Sequence, residues 1–336
     1  MNRLMANPLL TVSNLSVEYP TRHGWLRAVN DVSLELAPGM ALGVVGESGS
    51  GKSTLGQALM GLTGASQARV GGRITFDGQD ITGLTDKAWR RIRGDRIAMV
   101  FQDPTSTLNP VLRIGDQIAE VFQWHRPDMP QTEVRRRTLG MLERVGIREA
   151  ERRLRSYPHE LSGGMRQRVV IACALALEPA LLIADVPTTA LDVTVQAQIL
   201  DLMRDLITER GTAMILISHD LDVIGDTCDA VAVMYAGRVV EFGATDDVLA
   251  APKHPYTKGL LASRPRFGHN QAVAPIAGTV PDLRSIGTAC AFQPRCAQAV
   301  DLCGREGPLL QGFVGTDSAK VPHRVACHVV HQEPRS

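Results

Sequence analysis

The chain has 336 residues, 44% hydrophobic and 21% charged, with 36 basic against 35 acidic side chains for a net charge of +1. That balance argues against disorder and against a protein that holds nucleic acid by bulk charge, and the length fits about two domains. Aromatics at 4% argue against a base-stacking platform. The N-terminal MNRLMANPLLTV lacks the continuous apolar stretch of a secretory signal. The best apolar run, Val169 to Ala184, is split by Glu178 and Pro179, too short for a membrane helix. The expectation is a cytoplasmic protein that reaches a membrane only by docking.

In chain order, residues 9–45 predict β-structure. LLTVSNLSVEY and AVNDVSLEL alternate apolar and polar residues, as half-buried strands do. Met40–Val45 is nearly all apolar and suits a buried central strand, followed by a glycine-rich loop and a helix over Thr54–Leu62. Residues 115–156 and 165–177 predict helix. LLIAD (181–185) and AMILIS (213–218) predict two short strands around a helix at about 195–209. Strands alternating with helices imply an α/β fold with a largely parallel sheet. Prolines 252, 255, 265, 275 and 281 then change the character of the chain, which places a boundary near 250. The domains expected are 1–250 and 251–336. The one basic run, Arg135–Arg137, predicts a solvated helix face.

The chemistry begins at Gly46-Glu47-Ser48-Gly49-Ser50-Gly51-Lys52-Ser53, a match to G-x4-G-K-[ST] between an apolar strand and a helix. Such glycines let backbone N–H groups turn inward around phosphates, and the helix start adds its positive dipole end. Lys52 is expected at the β- and γ-phosphates, with the Ser53 hydroxyl on Mg²⁺ and Thr54 beginning the helix. LLIAD ends in Asp185, a carboxylate at the C-terminal edge of a strand, where ligands bind in such sheets; its expected task is also to hold Mg²⁺.

Between these halves lies Leu161-Ser162-Gly163-Gly164-Met165-Arg166-Gln167, which resembles the signature of ATP-binding-cassette (ABC) ATPases. The family's other motifs follow in its order. Phe101-Gln102-Asp103-Pro104 resembles the Q-loop, Thr189-Ala190-Leu191-Asp192 the D-loop, and Ser218-His219-Asp220 the switch with its catalytic histidine. Tyr19 stands where the family places an aromatic on adenine; a strand-core role is its alternative. The resemblance covers about 9–250. It implies a P-loop NTPase cassette: a RecA-like, mostly parallel sheet, an antiparallel N-terminal β-subdomain and a helical subdomain at about 110–165. It further implies that ATP and Mg²⁺ are held by this chain's phosphate loop, Gln102 and Asp185, while Ser162, Gly163 and Gly164 bind the γ-phosphate in a partner's site. Gln102 and His219 are assigned to the attacking water, and Asp192 to the D-loop.

His254-Pro255-Tyr256-Thr257, DVTVQAQIL (192–200) and a C-x5-C-x6-C-x23-C pattern resemble ATPases of dipeptide, oligopeptide and nickel importers. The resemblance implies a second ABC ATPase, two membrane permeases, an extracytoplasmic binding protein, and a site at the cytoplasmic face of the inner membrane. The pattern comprises Cys290, Cys296, Cys303 and Cys327. Four thiolates hold a [4Fe–4S] cluster or zinc, and some ATPases of this subfamily carry iron–sulfur; unliganded thiols are the third reading. Cys173 and Cys228 read as small hydrophobes, and His323 and His328 as ordinary residues.

One position departs from the family pattern. The Mg²⁺-site aspartate is normally followed by glutamate, the general base; here Asp185 is followed by Val186, whose side chain accepts no proton. The expectation is retained ATP binding with impaired hydrolysis at this chain's own site. An introduced change is the alternative, since Glu and Val codons differ by one base. The rival functions are a non-hydrolysing regulatory subunit, a soluble ABC protein of translation or DNA repair, and a GTPase, the last opposed by the lack of an N-K-x-D motif.

Overall fold

The structure is a computed structural model that describes residues 7–64, 68–188, 192–264, 275–284, 286–312 and 321–332. Two compact units divide the chain. One gathers Met1–Ala37, Ala41–Thr82 and Ile217–Ser336; the other gathers Pro38–Met40 and Gly83–Leu216.

In the first unit, alternation of apolar and polar residues builds an antiparallel sheet in the order Gly24–Leu36, Leu10–Thr21, Arg69–Phe76, Gln79–Asp80. Leu10 faces Leu36 and Val12 faces Leu34, so Leu10, Val12, Leu15 and Val17 share a buried face despite a register shift at Asn14. The same unit pairs the wholly buried strand Ala41–Val45 in parallel with Ala230–Tyr235. That strand turns back through Ala236-Gly237 into Arg238–Ala244. Arg324–Val325, from the end of the chain, then adds to Arg238–Ala244, with Glu241 opposite Val325.

In the second unit, Ile97–Val100 and Leu181–Asp185 run parallel, with Val100 opposite Ala184. Their apolar, wholly buried residues explain why neither alternates. Helices Asp86–Ile92, Pro104–Thr107, Ile114–His125, Gln131–Arg144, Ala150–Arg153, Gly163–Leu175 and Val193–Arg210 lie in the same unit. The helical stretch expected over 115–156 is therefore three helices. Pro127 and Pro130 lack an N–H for the ladder, and Gly146 at φ 73° ends the next helix in left-handed backbone. The first helix after the glycine-rich loop runs Lys52–Leu59, two residues earlier than expected. Among the described residues, no helix is long and apolar enough to cross a membrane.

Candidate functional site

The first unit carries the phosphate loop. Strand Ala41–Val45 delivers the chain to Gly46, at φ 152°, where a Cβ would lie 2.1 Å from the Met234 carbonyl oxygen. Gly51, at φ 97°, leaves no more room: a Cβ there would meet the Ala28 oxygen at 2.3 Å. These two glycines let the loop lie against neighbouring backbone. Gly237 N–H donates to the Ser50 oxygen at 3.0 Å, tying the loop to the turn after Tyr235. Lys52, a residue 8% exposed, donates through its ammonium to the carbonyls of Gly46 and Glu47, both at 2.8 Å, and to Ser50 Oγ at 3.2 Å. Those acceptors hold the cation in place at the loop. Ser48 and Gly49 are exposed, Ser53 and Thr54 half-buried. The helix Lys52–Leu59 begins after Gly51 with no side-chain cap, and a helix start carries the positive end of its dipole.

Tyr19, on strand Leu10–Thr21, is half-buried and hydrogen-bonds to the Thr54 side chain; burial raises its phenol pKa. It lies beside the helix that follows the loop. His219 is exposed just past strand Ala213–Ser218. Asp220 beside it donates its N–H to Ser218 Oγ and accepts from the Asp222 N–H, each at 2.9 Å, and so caps the next helix.

The second unit carries the other motifs. The parallel pairing of Ile97–Val100 with Leu181–Asp185 brings Gln102 and Asp185 past the same end of adjacent strands. Asp185 is 5% exposed and Gln102 exposed. Asp103 accepts the Thr105 and Ser106 N–H groups, which hold its carboxyl below the usual carboxylate range and start a short helix at Pro104. Val186 follows Asp185 at φ 43°. A β-branched residue in left-handed backbone is an outlier, costing about 1–3 kcal/mol.

Ser162 caps helix Gly163–Leu175, its Oγ accepting the Met165 N–H at 3.3 Å. Gly163 and Gly164 form the first turn, where a Cβ on Gly164 would reach Val195 Cγ1 at 2.8 Å. Asp192 caps helix Val193–Arg210 through the Val195 N–H at 2.9 Å. The signature and the end of the D-loop motif are thus neighbours. Thr189, Ala190 and Leu191 lie outside the described residues.

The four clustered cysteines gather without forming a ligand cage. All are free thiols, and the Cys290 N–H donates to the Cys303 oxygen at 2.9 Å. Burial, with smaller contributions from neighbouring thiols, raises the pKa of Cys290 and Cys296. Among the described residues, no group of three or more His, Cys, Asp or Glu is placed to hold a metal ion. The iron–sulfur and zinc expectations find no support in this arrangement. His323 is instead paired with Glu241 at 2.7 Å, and His328 with the Glu306 carbonyl at 3.0 Å.

Residues to which motif reading gave no role in the site stand against the phosphate loop. His254-Pro255-Tyr256-Thr257 opens helix Pro255–Ala262, with His254 Nδ1 capping it through the Tyr256 N–H at 3.0 Å. Burial pushes the His254 imidazole down to about 4, so it stays neutral, as an accepting cap must. Glu241, wholly buried, accepts the N–H groups of Lys253 at 2.7 Å and His254 at 3.0 Å. The Tyr256 hydroxyl accepts the Glu47 N–H at 2.8 Å. Arg295 forms a bidentate ion pair with Glu47. The HPYT pattern offered a signal for Tyr256; Arg295 had none.

Comparison with known proteins agrees with this geometry. The ABC transporter family matches residues 29–189. The chain is 48% identical over 305 residues to the oligopeptide transport ATP-binding protein OppD of Salmonella typhimurium, spanning 90% of each protein.

The chain belongs to the ABC transporter family.

The oligopeptide/dipeptide transporter C-terminal region matches 240–303 of this ABC protein. It is also 48% identical over 302 residues to the dipeptide transport ATP-binding protein DppD of Bacillus subtilis, covering 89% of this chain and 90% of that one. A solved ATP-binding cassette, MJ0796 bound to ADP and Pi, superposes with TM-score 0.62 at 29% identity, over 70% of this chain and 98% of the other. The cassette cbiO1 of Clostridium perfringens superposes with TM-score 0.62 at 32% identity, over 73% and 92%. The fold is the P-loop ABC cassette, with its antiparallel N-terminal sheet and a cysteine-bearing C-terminal region.

Proposed function

We propose that this chain is the ATP-binding subunit that energises uptake of peptides, or a related small solute, through partner permeases. The observation that carries it is the phosphate loop, with Lys52 held on the loop carbonyls ahead of an uncapped helix start. The names of the OppD and DppD relatives and the matched C-terminal region supply the substrate class. Residues 1–250 serve as the nucleotide-binding part and 251–336 as the extension. The chain works peripherally at the cytoplasmic face of the membrane, beneath two permeases fed by an extracytoplasmic binding protein.

Tyr19 receives the adenine, and Gly46–Thr54 the phosphates. The family resemblance assigns Ser53, Gln102 and Asp185 to Mg²⁺, and each side chain carries the oxygen donor that ion prefers. When bound, Mg²⁺ neutralises charge on the β- and γ-phosphates. Gln102 and His219 orient the attacking water. Ser162, Gly163 and Gly164 bind the γ-phosphate of a second ATPase, with Asp192 beside them, so the pair is a heterodimer with two unlike sites. Val186 leaves this chain's own site able to bind ATP and slow to hydrolyse it, and turnover belongs to the partner's site. A non-hydrolysing regulatory subunit is the second reading, favoured by the same valine. The iron–sulfur cluster keeps only the cysteine spacing in its support; iron analysis of protein purified without oxygen tests it, a metal-free chain removing it.

The deciding experiment is co-purification with the permeases and ATPase assay of the assembly. Removing the partner's catalytic glutamate there abolishes turnover on this reading. Undiminished hydrolysis would sink the asymmetric scheme.

A further inference from the structure

The G-x4-G-K-S pattern leaves the residue after its first glycine open, and here that residue is Glu47. It is gripped at three points. Its carbonyl accepts from Lys52 Nζ at 2.8 Å, its N–H donates to Tyr256 Oη at 2.8 Å, and its carboxylate takes the Arg295 fork at 2.7 and 3.1 Å. The last two grips come from beyond residue 250, two hundred and more positions along the chain.

Arg295 has no freedom to leave. Its side chain is 4% exposed, and all five guanidinium N–H groups are used. Nε donates to the Ala277 oxygen at 2.9 Å. Nη1 donates to Glu47 and to Tyr235 Oη at 3.3 Å; Nη2 donates to Glu47 and to the Ile276 oxygen at 3.4 Å. The pair with Glu47 raises the Arg295 pKa further, so the charge is permanent. Beneath it Tyr235, Tyr256 and Phe292 form a buried ring cluster, with centroids 4.6 to 5.5 Å apart. Tyr256 is anchored by the His254 cap, and His254 by Glu241.

We propose that the C-terminal extension is a wall of the ATP site, with Arg295 and Tyr256 acting as positioning residues that hold Glu47, and through it the phosphate loop, in the shape that accepts ATP. The proposal rests on the nucleotide-binding reading above. A phosphate loop released from these grips must be ordered again by each incoming nucleotide. Ordering one residue of backbone corresponds to about tenfold in affinity. Lysine cannot replace the fork, because its ammonium is a point charge on a flexible stem.

The test uses the full chain and Mg-ATP titration by calorimetry, with melting temperature recorded for each variant. Arg295→Met and Tyr256→Phe each weaken binding about tenfold at temperatures where both variants are folded. Arg295→Lys fails to restore it. On a Glu47→Gln background, Arg295→Met has a smaller effect than on the parent, because the charge pair is already gone. A merely structural role would lower the melting temperature and leave the affinity of the folded chain unmoved; that result overturns the proposal. Should Arg295→Met not fold, Tyr256→Phe decides alone by the same criterion. If the parent binds no Mg-ATP, the nucleotide-binding reading itself fails, whereas a parent that binds as well as its variants rejects only the wall.

Discussion

Two strand ends in this molecule are built alike and finish differently. Ala41–Val45 and Leu181–Asp185 are both five-residue, wholly buried parallel strands, and each hands the chain to a residue with positive φ. At the first that residue is Gly46, at φ 152°, and the turn after it is gripped by Tyr256 and Arg295. At the second it is Val186, at φ 43°, where a β-branched side chain is strained and no carboxylate follows Asp185. The first end agrees with its sequence at every level. The second breaks a local rule at the position to which the family resemblance assigns the general base, and such conflicts concentrate at functional positions. On the reading proposed above, the difference would separate binding from turnover: the phosphate loop keeps its motif residues, and the strand after it lacks a carboxylate at 186.

The largest expected effect comes from making the second end complete. Val186→Glu restores a carboxylate after Asp185. It should raise hydrolysis at this chain's site by ~10²–10⁴-fold, the usual worth of a general base. The measurement is ATPase activity of the assembled complex in which the partner's glutamate has been removed. An unchanged rate would mean that another group already serves as base and that the two ends do not differ in function.

The next reads the bracing of the first end. The unfolded imidazole titrates near 6.5, whereas His254 in the folded chain is held down to about 4. Between those values the unfolded chain binds more protons, so stability falls as pH drops through that window. The loss approaches about 3 kcal/mol at its lower edge. Glu241, held below the usual carboxylate range by His323, Thr257 and backbone N–H groups despite its burial, adds a loss of the same sign at lower pH. Melting curves from pH 7 to pH 4 should therefore slope less steeply for His254→Asn, which keeps a capping oxygen and does not titrate. Parallel curves would remove His254 from the account.

Lys52→Ala breaks the first end chemically. The three acceptors around the ammonium lose their donor, and ATP loses the cation aimed at its phosphates. Charged hydrogen bonds of this kind correspond to roughly ten- to a hundredfold in affinity. Equal Mg-ATP affinity in the parent and the variant would remove the assignment of the loop.

How much of this was legible beforehand varied with the range of the interactions involved. The phosphate loop and the LLIAD strand declare themselves within a few residues, because strand burial and tight turns are local. The helix breaks near Pro130 and Gly146 were also local, yet apolar periodicity ran across them and hid them. Arg295 was invisible, since an arginine among prolines and cysteines says nothing about a carboxylate at position 47. The cysteine spacing promised a cluster, but spacing does not specify where thiols point, and among the described residues no three such side chains are placed to hold a metal ion. Val186 was legible as a departure from the family pattern and not as a backbone anomaly, since φ is not written in the residue name.

That anomaly supports the smallest prediction. Val186→Ala and Val186→Gly both remove the branched side chain, so their difference isolates the backbone. In ordinary helix or strand backbone, alanine is the more stable of the two by roughly 0.5–1 kcal/mol, because glycine loses more freedom on folding. In left-handed backbone the order inverts, since a Cβ crowds the following carbonyl at a cost of about 1–2 kcal/mol. At φ 43° the second case applies. Val186→Gly should therefore melt above Val186→Ala, by about 1 kcal/mol in denaturant titrations with unchanged slope. If alanine proves the more stable, position 186 does not hold the conformation described, and the contrast between the two strand ends reduces to the missing carboxylate alone.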